Sequence, residues 1–167
     1  MAQRFAFGTV ISHWNHLIEG MQYSPKNFYE SVIRSASERQ IPQIKFTTVS
    51  HREGGVLSAQ RLYLRVSRHE YDFDICGAPF GKNFFVSWWL KERLGCLGAL
   101  AEMSLAGLIF KHFVRPITYY RVDTALMFQQ SVHSSVLEVM DSFTQTKGIR
   151  VLTESERKPV MREFFAR

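Results

Sequence analysis

Between Ala59 and Cys76 the chain reads AQRLYLRVSRHEYDFDIC, and this stretch constrains the fold more than any other. Leu62, Leu64 and Val66 alternate with Arg61, Tyr63 and Arg65; Tyr71, Phe73 and Ile75 alternate with Glu70, Asp72 and Asp74. A period of two marks strands with one buried face. The first arm carries its cations on one face and the second its acids, so the arms read as an antiparallel hairpin. A two-residue turn at Ser67-Arg68 sets Arg65 opposite Glu70, Arg61 opposite Asp74 and Tyr63 opposite Asp72. Leu64 then meets Tyr71 and Leu62 meets Phe73, so one register satisfies both faces. Ser-Arg is poor for a tight type I′ turn, and a longer loop keeps the faces but shifts the pairs. Arg61, Arg65, Glu70 and Asp74 are therefore expected as structural ion pairs. Paired charges leave neither arginines free for phosphates nor acids free for a metal, so nucleic acid is not an expected partner.

Elements on either side extend this unit. Pro25 suits a first helical turn, with Ser24 as its cap, and Phe28, Val32 and Ala36 recur at helical spacing until Pro42 ends the run. Ile44 to Val49 alternates as a strand. NFFVSWWL, after the turn APFGKN, is apolar on both faces: Phe84, Val86, Trp88 and Leu90 on one, Phe85 and Trp89 on the other. Its second face needs a cover. A long amphipathic helix is expected from about Asp123 to Thr146, stopped by Gly148. Thr153 and Glu156 have capping-box spacing, and Pro159 separates that turn from a short amphipathic piece, Val160 to Arg167.

The run LGCLGALAEMSLAGLIF, residues 94–110, holds one charge, Glu102, and is flanked by cations. As a helix it is about 26 Å long, at the lower limit for crossing a bilayer. A carboxylate at mid-depth costs roughly 3 kcal/mol on insertion scales. Three roles fit the run: a buried helix covering the sheet, an interfacial or inserted membrane segment, and an oligomer contact.

The chain has 167 residues, 46% of them hydrophobic, which suits one domain with a real core. Residues 1–22 read as an N-terminal arm, 23–92 as helix plus sheet, 93–118 as the apolar segment and 119–167 as a helical C-terminal part. No secretory signal is read at the start. Cys76 and Cys96 form no CxxC pair, so neither a disulfide framework nor a zinc site is expected. His13 and His16 lie three apart and would share a helical face, but no acid or thiol stands at a ligand spacing from them. His133, within the long helix, reads as a hydrogen-bonded core residue. Cys76 in FDICGAPFG is the candidate nucleophile to test, although the acids before it oppose a lowered thiol pKa. No phosphate-binding, dinucleotide-binding or hydrolase motif is present, and no metal or cofactor is expected.

Five runs carry a resemblance: EGGVLSAQRLYLRVSR, FDICGAPFG, FFVSWWL, TYYRVDTALMF and ESERKPVMREFF. Together they resemble a family of uncharacterised bacterial proteins, covering most of the chain from Tyr23 onward. The resemblance implies hydrophobic, membrane-associated segments after the SWWL stretch and brings no catalytic residues.

The expectation is an α+β domain: an N-terminal helix on a mainly antiparallel sheet of about four strands, followed by an apolar helix and a long amphipathic helix. The expected function is that of a non-catalytic interaction or accessory protein, cytoplasmic and associated with the inner face of a membrane. Its partner is another protein or a second copy of the chain, with the membrane surface as a further contact. The contact surface is expected at Trp88, Trp89, Leu94, Leu97, Leu105, Leu108, Phe164 and Phe165. A small apolar-ligand site lined by Phe73, Phe84 and Trp88 is the alternative; a cysteine enzyme at Cys76 ranks below it.

Overall fold

Alternation in the sequence becomes an antiparallel sheet that carries its helices on one side. The computed structural model describes residues 8–52, 60–93 and 118–161. In chain order the elements are β1 (Gly8–Ile18), α1 (Pro25–Glu38), β2 (Lys45–Arg52), β3 (Gln60–Arg68), β4 (Tyr71–Phe80), β5 (Asn83–Arg93), α2 (Tyr119–Thr146) and β6 (Val160–Met161). The described strands form one six-stranded sheet in the order β2-β3-β4-β5-β1-β6, with every pair antiparallel. The α+β class with an antiparallel sheet is thus present, but with six described strands rather than four and with a strand ahead of the first helix.

That leading strand places residues 8–18, within the stretch read as an N-terminal arm, inside the sheet. β1 lies between β5 and β6, and the β1–β5 register slips between Val10 and Ser12. The irregularity buries Ile11 and Ser12 consecutively, which breaks the period of two and hides the strand. His13 and His16 therefore point to opposite faces of a strand instead of sharing a helical face.

The β3–β4 hairpin keeps its predicted faces and changes its pairs. The tight turn falls at His69-Glu70, with His69 at φ 49°, so Arg65 stands opposite Asp74, Leu64 opposite Ile75 and Val66 opposite Phe73. The pairing expected from a Ser67-Arg68 turn is overturned. Glu70 sits in the turn, where its carbonyl accepts from the Arg93 amide at 2.7 Å.

α1 begins at Pro25 as expected. Ser24 takes the capping position, but its side chain makes no capping bond. α2 starts earlier than its apolar stripe suggests, because Thr118 provides the cap and its hydroxyl accepts from the Arg121 amide at 3.3 Å. Its end is a Schellman turn: Gly148 has φ 65°, its amide reaches the Gln145 carbonyl at 3.1 Å, and the Ile149 amide reaches Thr144 at 2.9 Å. The Thr153–Glu156 pair closes a single turn, with the Glu156 carboxylate accepting from the Thr153 amide at 2.8 Å. Directly after Pro159 the chain forms β6, Val160–Met161, at the start of the short amphipathic piece.

The core lies between the helices and one sheet face. Phe73 contacts Trp88 and Phe128 at ring separations of 4.5 and 6.1 Å, and Phe28 contacts Phe84 at 5.6 Å. A polar latch crosses this core. The Trp88 indole donates to His133 Nδ1 at 3.0 Å, and His133 Nε2 lies 2.7 Å from the Arg157 carbonyl. With Nδ1 accepting, Nε2 carries the proton and donates. Burial holds the His133 imidazole below its ordinary pKa, and the Arg157 cation adds to this against the opposing pull of the carbonyl bond. Arg157 also clamps Asp141 through two bonds of 2.9 and 2.7 Å, which ties residues 150–161 to α2.

α1 packs against β4 at Gly77, where a methyl group would lie 2.5 Å from Phe28 Cδ1 and 3.1 Å from Phe84 Cζ. The Tyr29 hydroxyl accepts from the Gly77 amide at 3.0 Å, and burial pushes this phenol up to about 12. Gly77→Ala is expected to destabilise the protein by roughly 1–3 kcal/mol through overpacking. Thermal unfolding checks this, and Phe28→Leu in the same chain should restore part of the loss.

Candidate functional site

The second face of the sheet carries the polar side chains, and no described helix packs on it. Strand alternation assigns it Lys45, Thr47, Val49 and His51 from β2 and Arg61, Tyr63, Arg65 and Ser67 from β3. β4 adds Asp72, Asp74 and Cys76, β5 adds Phe85, Ser87, Trp89, Lys91 and Arg93, and β1 adds His13, Asn15 and Leu17.

Asp74 is the centre of this arrangement, with a side chain only 3% exposed. Arg65 grips it with two parallel bonds, Nε to Oδ1 at 2.6 Å and Nη2 to Oδ2 at 2.9 Å. Lys91 Nζ reaches Oδ2 at 2.5 Å, and His51 Nε2 stands 3.5 Å from the same oxygen. Asp72 accepts from the Ser67 hydroxyl at 2.7 Å, with Arg93 Nε at 3.4 Å and Arg65 Nη1 at 3.7 Å. Burial by itself would raise the Asp74 pKa. Hydrogen bonds and charge from Arg65 and Lys91 outweigh burial and hold the carboxyl below its ordinary value. Asp74 is therefore a fixed negative charge, unsuited to exchanging a proton near neutral pH.

Cys76 is fully buried beside this cluster, opposite Ser87. Burial pushes its thiol pKa up against the lowering influence of Arg61, Tyr63 and Ser87, the reverse of what activates a nucleophile. Burial likewise raises the Tyr63 phenol. No group of three or more His, Cys, Asp or Glu side chains among the described residues is placed to hold a metal ion.

Toward β5 and β1 the same face turns aromatic. Trp89 is 38% exposed, and His13 stacks on it at 4.8 Å and 15°. Leu17 and Phe80 are exposed, and Phe85 is half-buried.

The structure separates the contact residues expected from sequence. Trp88 is fully buried under α2, bonded to His133, and offers no surface; its neighbour Trp89 emerges on the open face. Leu94, Leu97, Leu105, Leu108, Phe164 and Phe165, with the whole run 94–110, lie outside the described residues. Arg65 and Asp74 are an ion pair, whereas Arg61 lies by Tyr63 and Cys76 instead of Asp74. Phe73, Phe84 and Trp88, proposed as pocket walls, are fully buried and pack into the aromatic core. Lys91 and Arg93 were missed as members of the ionic cluster; their alternation with Trp89 along β5 was the available signal.

The chain matches no protein-family model, no curated protein and no solved structure. No described helix is long and apolar enough to cross a membrane.

Asp74→Asn leaves Arg65 and Lys91 without their buried anion, so a loss of about 3–5 kcal/mol is expected at neutral pH. The folded carboxyl titrates below 3.8, so the stability it contributes is complete above that value and fades as the pH falls through the folded midpoint. Chemical denaturation across pH should show wild type and variant converging only at the acid end.

Proposed function

We propose that the chain is a non-catalytic interaction protein that receives a protein partner on the open face of its sheet. The observation that supports this is the split character of that face. Exposed Trp89 and Leu17 with half-buried Phe85 form an apolar half over β5 and β1. Exposed Lys45 and Arg61 form a cationic half over β2 and β3, with His51 exposed between them. Tryptophan and arginine at a partly apolar patch are the residue types that dominate binding energy at protein interfaces. The deeply set ion pairs beneath tie β3, β4 and β5 together under this face. Location at the cytoplasmic face of a membrane is part of the proposal through the run 94–110, whose apolar sequence and cationic flanks suit an interface.

A photo-crosslinking amino acid placed at Trp89 in the native cell tests this, with one at exposed Lys147 beyond α2 as control. The expected result is a discrete protein adduct from position 89 and none from position 147; its mass separates a second copy from a different protein. No adduct at 89, or the same adducts from both positions, overturns the proposal.

A further inference from the structure

β2 ends the sheet: it pairs with β3 along one edge, and no described strand pairs along the other. An edge strand presents outward N–H and C=O groups that a further extended chain can take up. We infer that this edge accepts an extended segment of a partner protein in which acidic and apolar residues alternate. The inference rests on the reading that the chain docks a protein, and it names the chemistry of that protein.

The charge beside the edge selects the occupant. Lys45 and His51 on β2, with Arg61 on β3, are exposed on the open face. Lys45 and Arg61 have no carboxylate partner among the described residues. A seventh strand would set every second side chain on the open face, about 5 Å from the β2 side chains, where an acid beside Lys45 gains and a cation loses. Its other side chains would fall next to Phe46, Thr48 and Ser50 on the helix side. Phe46 is half-buried there, and Leu62, directly beyond Ser50, is 56% exposed. Apolar residues at those positions would cover both. A second copy of β2 fits worse: β2 holds no acid, and antiparallel self-pairing through Thr48 sets Lys45 opposite His51.

The test uses the full chain and three synthetic peptides: one alternating Glu and Val, one with the same residues in two blocks, and one alternating Lys and Val. The expected result is saturable binding of the Glu/Val alternating peptide alone, with new hydrogen-exchange protection at alternate β2 amides. Lys45→Glu with Arg61→Glu should weaken binding by roughly tenfold or more, with thermal unfolding of the variant confirming its fold. Equal binding of the block or Lys/Val peptide overturns the inference. So does absence of binding, or outward β2 amides already protected in the free chain. A crosslinked adduct at position 89 alongside any of these failures would leave the docking face standing and remove only the edge.

Discussion

A carboxylate placed in the middle of a sheet has to be satisfied, and the Asp74 side chain organises its strands around that need. Its burial is tolerable only because Arg65 approaches from β3 and Lys91 from β5, both within hydrogen-bonding distance. That requirement links the register of three strands. A one-residue slip of β3 or β5 would send Arg65 or Lys91 to the helix side and leave the acid unpaired. The cations that neutralise Asp74 must lie on the face away from the helices, and this is why that face is polar at its centre.

The opposite face solves a different problem. Trp88 brings a polar N–H into an otherwise apolar layer, and His133 accepts it while donating its own proton to the Arg157 carbonyl. One side chain from the sheet, one from α2 and the backbone of residues 150–161 are thereby joined. The Trp14 indole adds a second bond to this segment, donating to the Glu156 carbonyl at 2.6 Å. β5 serves both faces, with Trp88 in the latch and Lys91 in the ionic cluster three residues later. The apolar core and the ionic cluster are therefore joined through one strand.

Much of this was legible in the alternation of β3, β4 and β5, because period two reports faces directly. The faces of residues 61–75 follow from it, as does the need for something on both sides of β5. The pairing within the hairpin was less legible. Its turn uses His69 in the left-handed region, which sequence usually signals with glycine or asparagine. β1 escaped notice because its irregularity shifts the period and because Ser12, His13 and His16 interrupt its apolar residues. The start of α2 was obscured by exposed Tyr119 and Tyr120, which carry no core stripe, so only the Thr118 cap marks it. At the site, single residues separated by one position had opposite fates, as Trp88 and Trp89 show. Composition could not assign them; the strand's phase could.

The most direct test of this account is the titration of the Asp74 carboxyl in the folded protein, followed by carbon-13 NMR of the side chain. A midpoint below the ordinary 3.8 is predicted, because bonds from Arg65 and Lys91 outweigh burial. A midpoint above 3.8 would mean that burial dominates and the two cations do not hold the acid. The ionic centre of the sheet would then be contradicted.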